Sequence, residues 1–496
     1  MSDEVESALQ STARGASIFT IGRITSQLLG FVFNAILTNY LGPIGYGIIT
    51  YADTVMMTIL NIADLGADKA LLRFLPDDNP DERENTLGLA GLSVILAGVG
   101  SGVILYVTAP VISSYTIAND SFITVLRVMA FVLPFRALTK IVQSSFRALE
   151  RPTYQLGISE GLLPVSRLVA AMVSVVLGLA VEGIATALLV STILLSAAAL
   201  SLFLSRTELR PRPEASRERI SRFFSYSLPL TVNSAGSYLV NNVDLIMVGF
   251  LGLGSAAVGQ YRAAALMTTA AALPLSGINQ IFPARASRLF DQGQKEELDS
   301  LYKTVTRWAL TATLPIAVGL VVFRAPLLSV LGSEFVTAQF VLAVLLIRRL
   351  SDAGAGPCGY LLMMTDHERL VTANNVILGL SNVALNFILI AEFGVIGAAA
   401  ATAASVTVFN FIKVFEVWWF ERLVPYSGAF LKPLFAGLVC GGVMILLERL
   451  LLLVGLDIGM IRAFVGGIVG VCAYLIILYA LGVDEKDKKL VENLYV

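Results

Sequence analysis

Polar side chains recur at helical spacing within a segment that is otherwise apolar. Arg23, Gln27 and Asn34 follow one another at positions i, i+4 and i+11 of the first apolar segment. This spacing places all three on one face of a helix. A charged group inside hydrocarbon is costly and normally faces water or a partner. The face is therefore predicted to line an aqueous cavity, and hydrogen bonding between helices is the alternative.

A second polar face of the same kind lies further along the chain. Asn233, Asn241 and Asp244 share it at helical spacing. At a shift of 210 residues, Asn34 falls on Asp244. A polar face that is repeated at matching positions indicates two walls of one cavity in a duplicated transporter.

Charged residues also lie inside the neighbouring apolar segments. Asp53 and Asp64 share a face of the second segment, and Arg262 lies in the eighth. Arg23 and Arg262 are predicted to face the cavity. Asp53, Asp64 and Asp244 have two open interpretations. They balance charge within the helix bundle, or they line the cavity, where they would hold it near neutrality or bind a coupling cation.

These side chains need membrane-spanning helices to position them. The chain has 496 residues, of which 56% are hydrophobic and 14% charged, whereas soluble domains carry about 25% charged residues. A bilayer core about 30 Å thick needs about 20 apolar residues per helix. This window predicts an all-α, polytopic membrane protein with about fourteen transmembrane helices. The predicted spans are 15–38, 46–68, 86–110, 121–146, 156–179, 183–205, 224–250, 257–281, 305–331, 335–364, 370–392, 395–419, 429–452 and 459–482.

A charged linker divides the predicted helices into two sets. Residues 206–222 read RTELRPRPEASRERISR. They separate an N-terminal lobe at 1–205 from a C-terminal lobe at 223–420, with two further helices and a charged tail at 421–496. The motif YLG that ends at Gly42 matches FLG that ends at Gly252, again at a shift of 210. The two six-helix lobes are therefore predicted to be parallel repeats around a central cavity.

The distribution of basic residues predicts the orientation of the chain. Lysine and arginine concentrate in alternate loops between the predicted spans, which places those loops in the cytoplasm. Both termini are then expected to be cytoplasmic, which requires an even number of spans. The first residues, MSDEVE, are acidic and do not resemble the start of a cleavable signal peptide. The first apolar segment is expected to be a retained span.

The sequence lacks the common motifs of nucleotide and metal chemistry. It contains no GxxxxGK[ST] phosphate loop and no HExxH motif. His367 is its only histidine, and its three cysteines are isolated. A net charge of −1 gives no field that would select nucleic acid. We therefore expect no enzymatic activity and no cofactor, with transport coupled to an Na⁺ or H⁺ gradient, to membrane potential or to substrate supply.

With its repeats and polar faces, the chain resembles the polysaccharide transporter (oligosaccharide flippase) branch of the multidrug/oligosaccharidyl-lipid/polysaccharide exporter superfamily. The resemblance rests on RGASIFTIGRITSQLLGFVFNAILTNYLGPIGYG, on NNVDLIMVGFLG followed by VGQYRAAA, and on RALERP. It covers essentially the whole chain. It implies two lobes around a V-shaped cavity, alternating access, and translocation of a lipid-linked oligosaccharide or polysaccharide precursor across the cell membrane.

The resemblance also implies roles for individual residues. Related flippases of lipid-linked peptidoglycan precursors meet the diphosphate with arginines on the first and eighth helices, and Arg23 and Arg262 occupy similar places. Asp244 lies where the family commonly keeps an acidic residue. The implied partners are a polyprenyl- or dolichol-(di)phosphate-linked sugar, membrane lipids and glycan-assembly enzymes, without nucleic acid. The two extra C-terminal helices favour a lipid-linked substrate over a drug.

Other functions stay open from the sequence. The chain could be a cation-coupled exporter of small amphipathic or drug-like molecules, which substrate-induced stabilisation would distinguish. It could be a membrane glycosyltransferase or polymerase, which would alter its substrate chemically. A scaffold for a glycan-assembly complex would show neither transport nor turnover.

Overall fold

The chain is helical throughout the part that its computed structural model describes. The backbone is described for residues 3–76, 79–212, 214, 216–455 and 458–482, and the side chains from residue 22 onward except residue 80. Within these ranges the structure contains no β-strand. Long apolar segments form helices because a helix satisfies all its backbone hydrogen bonds internally. The predicted all-α class is confirmed.

The helices are numbered here in chain order. Those that begin before residue 210 are α1 (Asp3–Ala63), α2 (Ala67–Phe74), α3 (Pro80–Tyr115), α4 (Asp120–Ala148), α5 (Pro152–Leu156), α6 (Leu163–Val176) and α7 (Val181–Arg206). A π-helical stretch, Gly157–Leu162, joins α5 to α6. The others are α8 (Arg217–Phe250), α9 (Gly254–Met267), α10 (Thr269–Asp291), α11 (Lys295–Val322), α12 (Arg324–Ser329), α13 (Gln339–Ala355), α14 (Cys358–Met364), α15 (Glu368–Glu421), α16 (Leu431–Leu453) and α17 (Gly459–Ala480).

Two of these helices fold back on themselves. Helix α15 has 54 residues, and a straight helix of that length would be about 80 Å long against a bilayer core of about 30 Å. Gly394 interrupts it at φ 57° and ψ −134°. The amide of Asn382 donates to the Ser405 hydroxyl at 2.9 Å, and these residues lie at nearly equal distances from the turn. The halves of α15 are therefore antiparallel neighbours, as the predicted spans 370–392 and 395–419 require.

Helix α1 turns in the same way at Gly42, where φ is 65° and ψ is −176°. The glycine that matches Gly42 in the sequence repeat, Gly252, has φ 73° and lies between α8 and α9. Positive φ is nearly free for glycine but costs other residues about 1 kcal/mol or more. The duplicated motif thus corresponds to a duplicated helical turn.

Nine helices in the described part of the chain are long and apolar enough to cross a membrane, and α1 and α15 are each counted once among them. Helices α8, α9, α10 and α13 are absent from this set. Helices α9 and α13 have only 14 and 17 residues, and polar side chains lower the apolar content of α8 and α10. The protein is a multi-pass membrane protein, and fourteen spans stays a prediction.

The predicted tenth span at 335–364 is not one continuous helix. It consists of a 3₁₀ turn at Ser333–Ala338, α13 and α14, with a break at Gly356 and Pro357. Proline has no N–H to continue the helical ladder, and Gly356 adopts φ 64°. The break leaves part of the last turn of α13 without helical partners.

The described helices group into two compact units. The first contains the described residues up to Asn242 together with Gly249–Gly259, and the second contains Val243–Val248 and the described residues from Gln260 onward. The linker 206–222 lies inside the first unit, where it is tied to the start of α3. Arg212 Nε lies 3.0 Å from Glu84 Oε2, and an Arg219 nitrogen lies 2.9 Å from Glu82 Oε1.

Candidate functional site

The first predicted polar face divides into residues with and without side-chain partners. Asn34 accepts a hydrogen bond at 2.8 Å from the Tyr46 hydroxyl and donates at 2.7 Å to the Gly30 carbonyl. It therefore ties the two halves of α1 together. Gln27 is exposed and Arg23 is half-buried. The arginine–amide face exists on α1, and one of its three members is already engaged.

Asp53 on α1 is paired with a cation of its own unit. Its Oδ2 lies 3.7 Å from a guanidinium nitrogen of Arg167 on α6. Arg136 on α4 lines the same small cavity, which has a volume of about 20 Å³. That volume suits about one water molecule. The arrangement places two cations beside one carboxylate.

Asp64 and Asp68 share one lysine. Lys140 Nζ on α4 lies 2.7 Å from Asp64 Oδ2 and 3.3 Å from Asp68 Oδ2. The Asp64 side chain is only 3% exposed, so the lysine is its essential countercharge. Sequence reasoning missed both Lys140 and Arg136. Their spacing of four residues in the fourth predicted span would have placed them on one face opposite the aspartates.

Asp244 on α8 is buried in the second unit. It accepts hydrogen bonds from the Tyr261 hydroxyl, from the Thr402 hydroxyl at 3.4 Å and from the Leu245 N–H at 2.8 Å. Thr402 lies on the second half of α15. Three donors converge on this carboxylate, and Arg349 on α13 also interacts with it electrostatically.

Asn233 and Asn241, on the same polar face of α8, are exposed. Both interact with Ser237 of their own helix. The Asn241 amide donates to the Ser237 carbonyl at 2.8 Å, and the Ser237 hydroxyl donates to Asn233 Oδ1 at 3.5 Å. Each amide keeps further hydrogen-bonding capacity for another molecule.

Arg23 and Arg262 differ from the other charged residues of the predicted site. Arg262 is exposed on α9 and lies between the buried residues Tyr261 and Ala263. In the described residues neither arginine makes an ion pair or a hydrogen bond through its side chain. An arginine within a membrane span needs water, an anion or a carboxylate to offset its desolvation. No described residue neutralises either guanidinium group.

The tyrosine hydrogen bonds of the two repeats predict unequal effects on stability. Tyr261→Phe is expected to lower the free energy of unfolding by about 2 kcal/mol, because it removes a donor to a buried charge. Tyr46→Phe, which removes a donor to the neutral Asn34 amide, should cost about 1 kcal/mol or less. Unfolding of the purified protein by SDS in mixed micelles would measure both. Equal losses would contradict a stronger hydrogen bond at Asp244 than at Asn34.

Sequence comparison identifies the family. The polysaccharide biosynthesis protein family matches residues 12–289, which is more than half of the chain. A relative from Haloferax volcanii, the "Probable low-salt glycan biosynthesis flippase Agl15", is 29% identical over 187 residues. The matched segment is 37% of this chain and 39% of that relative. The alignment thus covers about two fifths of the length of the relative.

Structural comparison gives the fold. The lipid II flippase MurJ in an inward closed conformation superposes with a TM-score of 0.75 at 14% identity, over 93% of this chain and 97% of that one. A multidrug resistance MATE family transporter of the MOP superfamily, facing inward, superposes with a TM-score of 0.65 at 15% identity, over 80% and 94%. These relatives are flippases and transporters rather than enzymes. The chain belongs to the polysaccharide biosynthesis protein family.

Proposed function

We propose that this flippase-type transporter moves a lipid-linked oligosaccharide or polysaccharide precursor across the cell membrane by alternating access. The observation that carries the proposal is that Arg23 and Arg262, each within a predicted membrane span, have no side-chain ion pair or hydrogen bond with any described residue. A phosphate or diphosphate linker accepts paired, charge-assisted hydrogen bonds from arginine. The named flippases Agl15 and MurJ support this substrate class.

Three aspartates support the proposal because they pair with cations other than Arg23. Asp53, Asp64 and Asp68 are paired with cations of the first unit. They do not neutralise Arg23, which leaves it free for an anion. We propose that Asp244, the buried carboxylate of the second unit, takes part in Na⁺ or H⁺ coupling. Gln27, Asn233 and Asn241 would then add polar contacts to the bound head group.

Alternating access requires contacts that can separate. Within the first unit, a Cβ on Gly47 would lie 1.8 Å from the Ser255 carbonyl oxygen, and a Cβ on Gly259 would lie 2.1 Å from that of Pro43. The backbone of α1 just after Gly42 is therefore in direct contact with the backbone at the start of α9. By the predicted orientation this contact lies on the side of the membrane opposite to the termini. We propose that it opens when substrate is released, while the lobes at 1–205 and 223–420 move as repeats.

Gly47→Leu is expected to hold this contact open, because overpacking a closed contact costs about 1–3 kcal/mol. The assay uses right-side-out vesicles that contain a variant in which Gln27 is replaced by cysteine and the exposed Cys472 is removed. In this variant, Gly47→Leu should make the reaction of the cysteine at position 27 with an impermeant maleimide about tenfold faster. Flipping should fall. Gly100→Leu is the matched control, because a Cβ there meets nothing within 4 Å. An unchanged labelling rate with full flipping would contradict the gate.

Substrate-induced stabilisation tests the substrate class. A polyprenyl-diphosphate-linked oligosaccharide should raise the melting temperature of the purified protein, because a ligand that binds only the folded state stabilises it. The lipid should be recovered chemically unchanged. Stabilisation by hydrophobic cationic drugs alone would support the exporter function, which the likeness to a MATE transporter favours. Conversion of the lipid to a longer glycan would overturn both.

A further inference from the structure

A cavity of about 570 Å³ with several polar side chains in its wall lies within the second unit. It opens beside the break between α13 and α14 and is also lined by α10 and by both halves of α15. Its polar lining consists chiefly of Asn279, Arg349, Asp352, Asn375, Asn410 and Lys413. Cavities of this size commonly hold small ligands.

The cavity wall is held in place by the structure of the helix break. Gly356 adopts φ 64° and ψ −154°, and Pro357 begins the next segment. The Ala355 carbonyl, which the break frees from the helical ladder, accepts a hydrogen bond of 3.0 Å from the buried Tyr302 hydroxyl. The wall is therefore preorganised, which lowers the entropy cost of binding.

The charged lining is cationic in balance. Asp352 Oδ1 accepts from the Asn410 amide at 2.9 Å, and its Oδ2 lies 3.8 Å from Arg348 Nε and 4.0 Å from a terminal nitrogen of Arg349. One carboxylate is thus shared by two guanidinium groups. A site in which cations outnumber carboxylates favours an anion.

Lys413 supplies a second cation from the other side of the cavity. Its Nζ lies 3.5 Å from a neutral atom, Asn375 Oδ1. Glu416, one turn further along α15, interacts electrostatically with Lys413, but it is held by the Asn374 amide at 2.6 Å and does not line the cavity. The lining residues therefore include two cations, Arg349 and Lys413, and one carboxylate, that of Asp352.

The amide groups add a preference for hydroxyl groups. Asn279 Oδ1 is buried and has no hydrogen-bond partner in the described part of the chain. Either orientation of this amide leaves a polar atom to be satisfied. We propose that the cavity binds a hydroxyl-bearing oxyanion, such as a sugar carboxylate or a sugar phosphate. The binding energy would come from Arg349 and Lys413, independently of Arg23 and Arg262.

Equilibrium dialysis of the detergent-purified full chain tests this site. The probes are radiolabelled glucuronate, glucose 1-phosphate and glucose at low ionic strength. At least one anion should bind at least about tenfold more tightly than glucose, because a charged hydrogen bond contributes about 1.5–3 kcal/mol. Tighter binding of glucuronate would identify the ligand as a sugar carboxylate, and tighter binding of glucose 1-phosphate would identify it as a sugar phosphate. Binding of neither anion, or equal binding of glucose, would overturn the proposal.

Variants locate the binding. Lys413→Met should weaken anion binding at least about tenfold, and Lys413→Arg should retain it because the charge remains. Lys303→Met is the matched control, since Lys303 pairs with Asp299 on α11, outside the cavity. In the background of Arg23→Gln and Arg262→Gln, Lys413→Met should still weaken anion binding at least about tenfold, which separates this site from the proposed flipping site. Unchanged binding by a folded Lys413→Met variant would exclude the cavity.

Discussion

Replacing Arg23 and Arg262 together with glutamine is expected to slow flipping of a diphosphate-linked oligosaccharide at least about 100-fold. Each lost charge-assisted hydrogen bond removes about 1.5–3 kcal/mol of substrate binding, and each 1.4 kcal/mol corresponds to a factor of ten. The effect on folding should be small, because neither side chain has a protein partner in the described residues. Transbilayer movement in reconstituted vesicles would measure the rate.

The matched control is Arg285→Gln, which removes an exposed arginine near the cytoplasmic end of α10 by the predicted orientation. It should flip substrate at the parental rate. Lysine at positions 23 and 262 should restore part of the activity, because the charge returns without the paired geometry of a guanidinium. Parental flipping by the folded double glutamine variant would remove both arginines from the mechanism.

Lys140→Met is expected to destabilise the protein by about 3 kcal/mol, the largest stability effect that the structure predicts. It leaves Asp64, whose side chain is 3% exposed, as a buried carboxylate without its countercharge. Breaking a buried ion pair in this way costs about 3–5 kcal/mol, and the partial exposure of Lys140 (30%) favours the lower end. The free energy of unfolding by SDS in mixed micelles is the measurement.

A second lysine provides the comparison. Lys303 and Asp299 are 31% and 28% exposed and lie one helical turn apart on α11. Lys303→Met should therefore cost about 0.5 kcal/mol. Adding Asp64→Asn to Lys140→Met should recover most of the lost stability, since the buried charge disappears. Equal losses for the two lysine variants would show that Asp64 has another countercharge.

Apolar length and periodicity predicted most helices but neither their breaks nor their partners, and the predicted span 257–281 is divided between α9 and α10. The glycine turns at 42 and 252 and the antiparallel halves of α15 follow from patterns within the sequence, because apolar length and local backbone preference determine them. The break at Gly356 was missed inside an apolar segment. Its signal, a glycine followed by proline, is common in membrane helices whose ladder continues.

The candidate site was harder to predict because its pairs are distant in the sequence. Lys140 meets Asp64 across 76 residues, and no spacing rule within one helix reveals such a pair. Asn34 has the same helical phase as a cavity residue, yet it bonds to Tyr46. Helical spacing therefore predicts which polar residues share one face of a helix. Whether each one binds a ligand or a neighbouring helix depends on tertiary contacts.

The most direct measurement is flipping by the unmodified protein. A polyprenyl-diphosphate-linked oligosaccharide, labelled on its sugar, is placed in both leaflets of sealed vesicles, and a membrane-impermeant sugar-modifying reagent is added outside. With the protein present, almost all of the lipid should be modified, and the glycan should be otherwise unchanged. If modification stops at about half, as in protein-free vesicles, under an Na⁺ or H⁺ gradient of either direction, the chain does not flip this class of substrate.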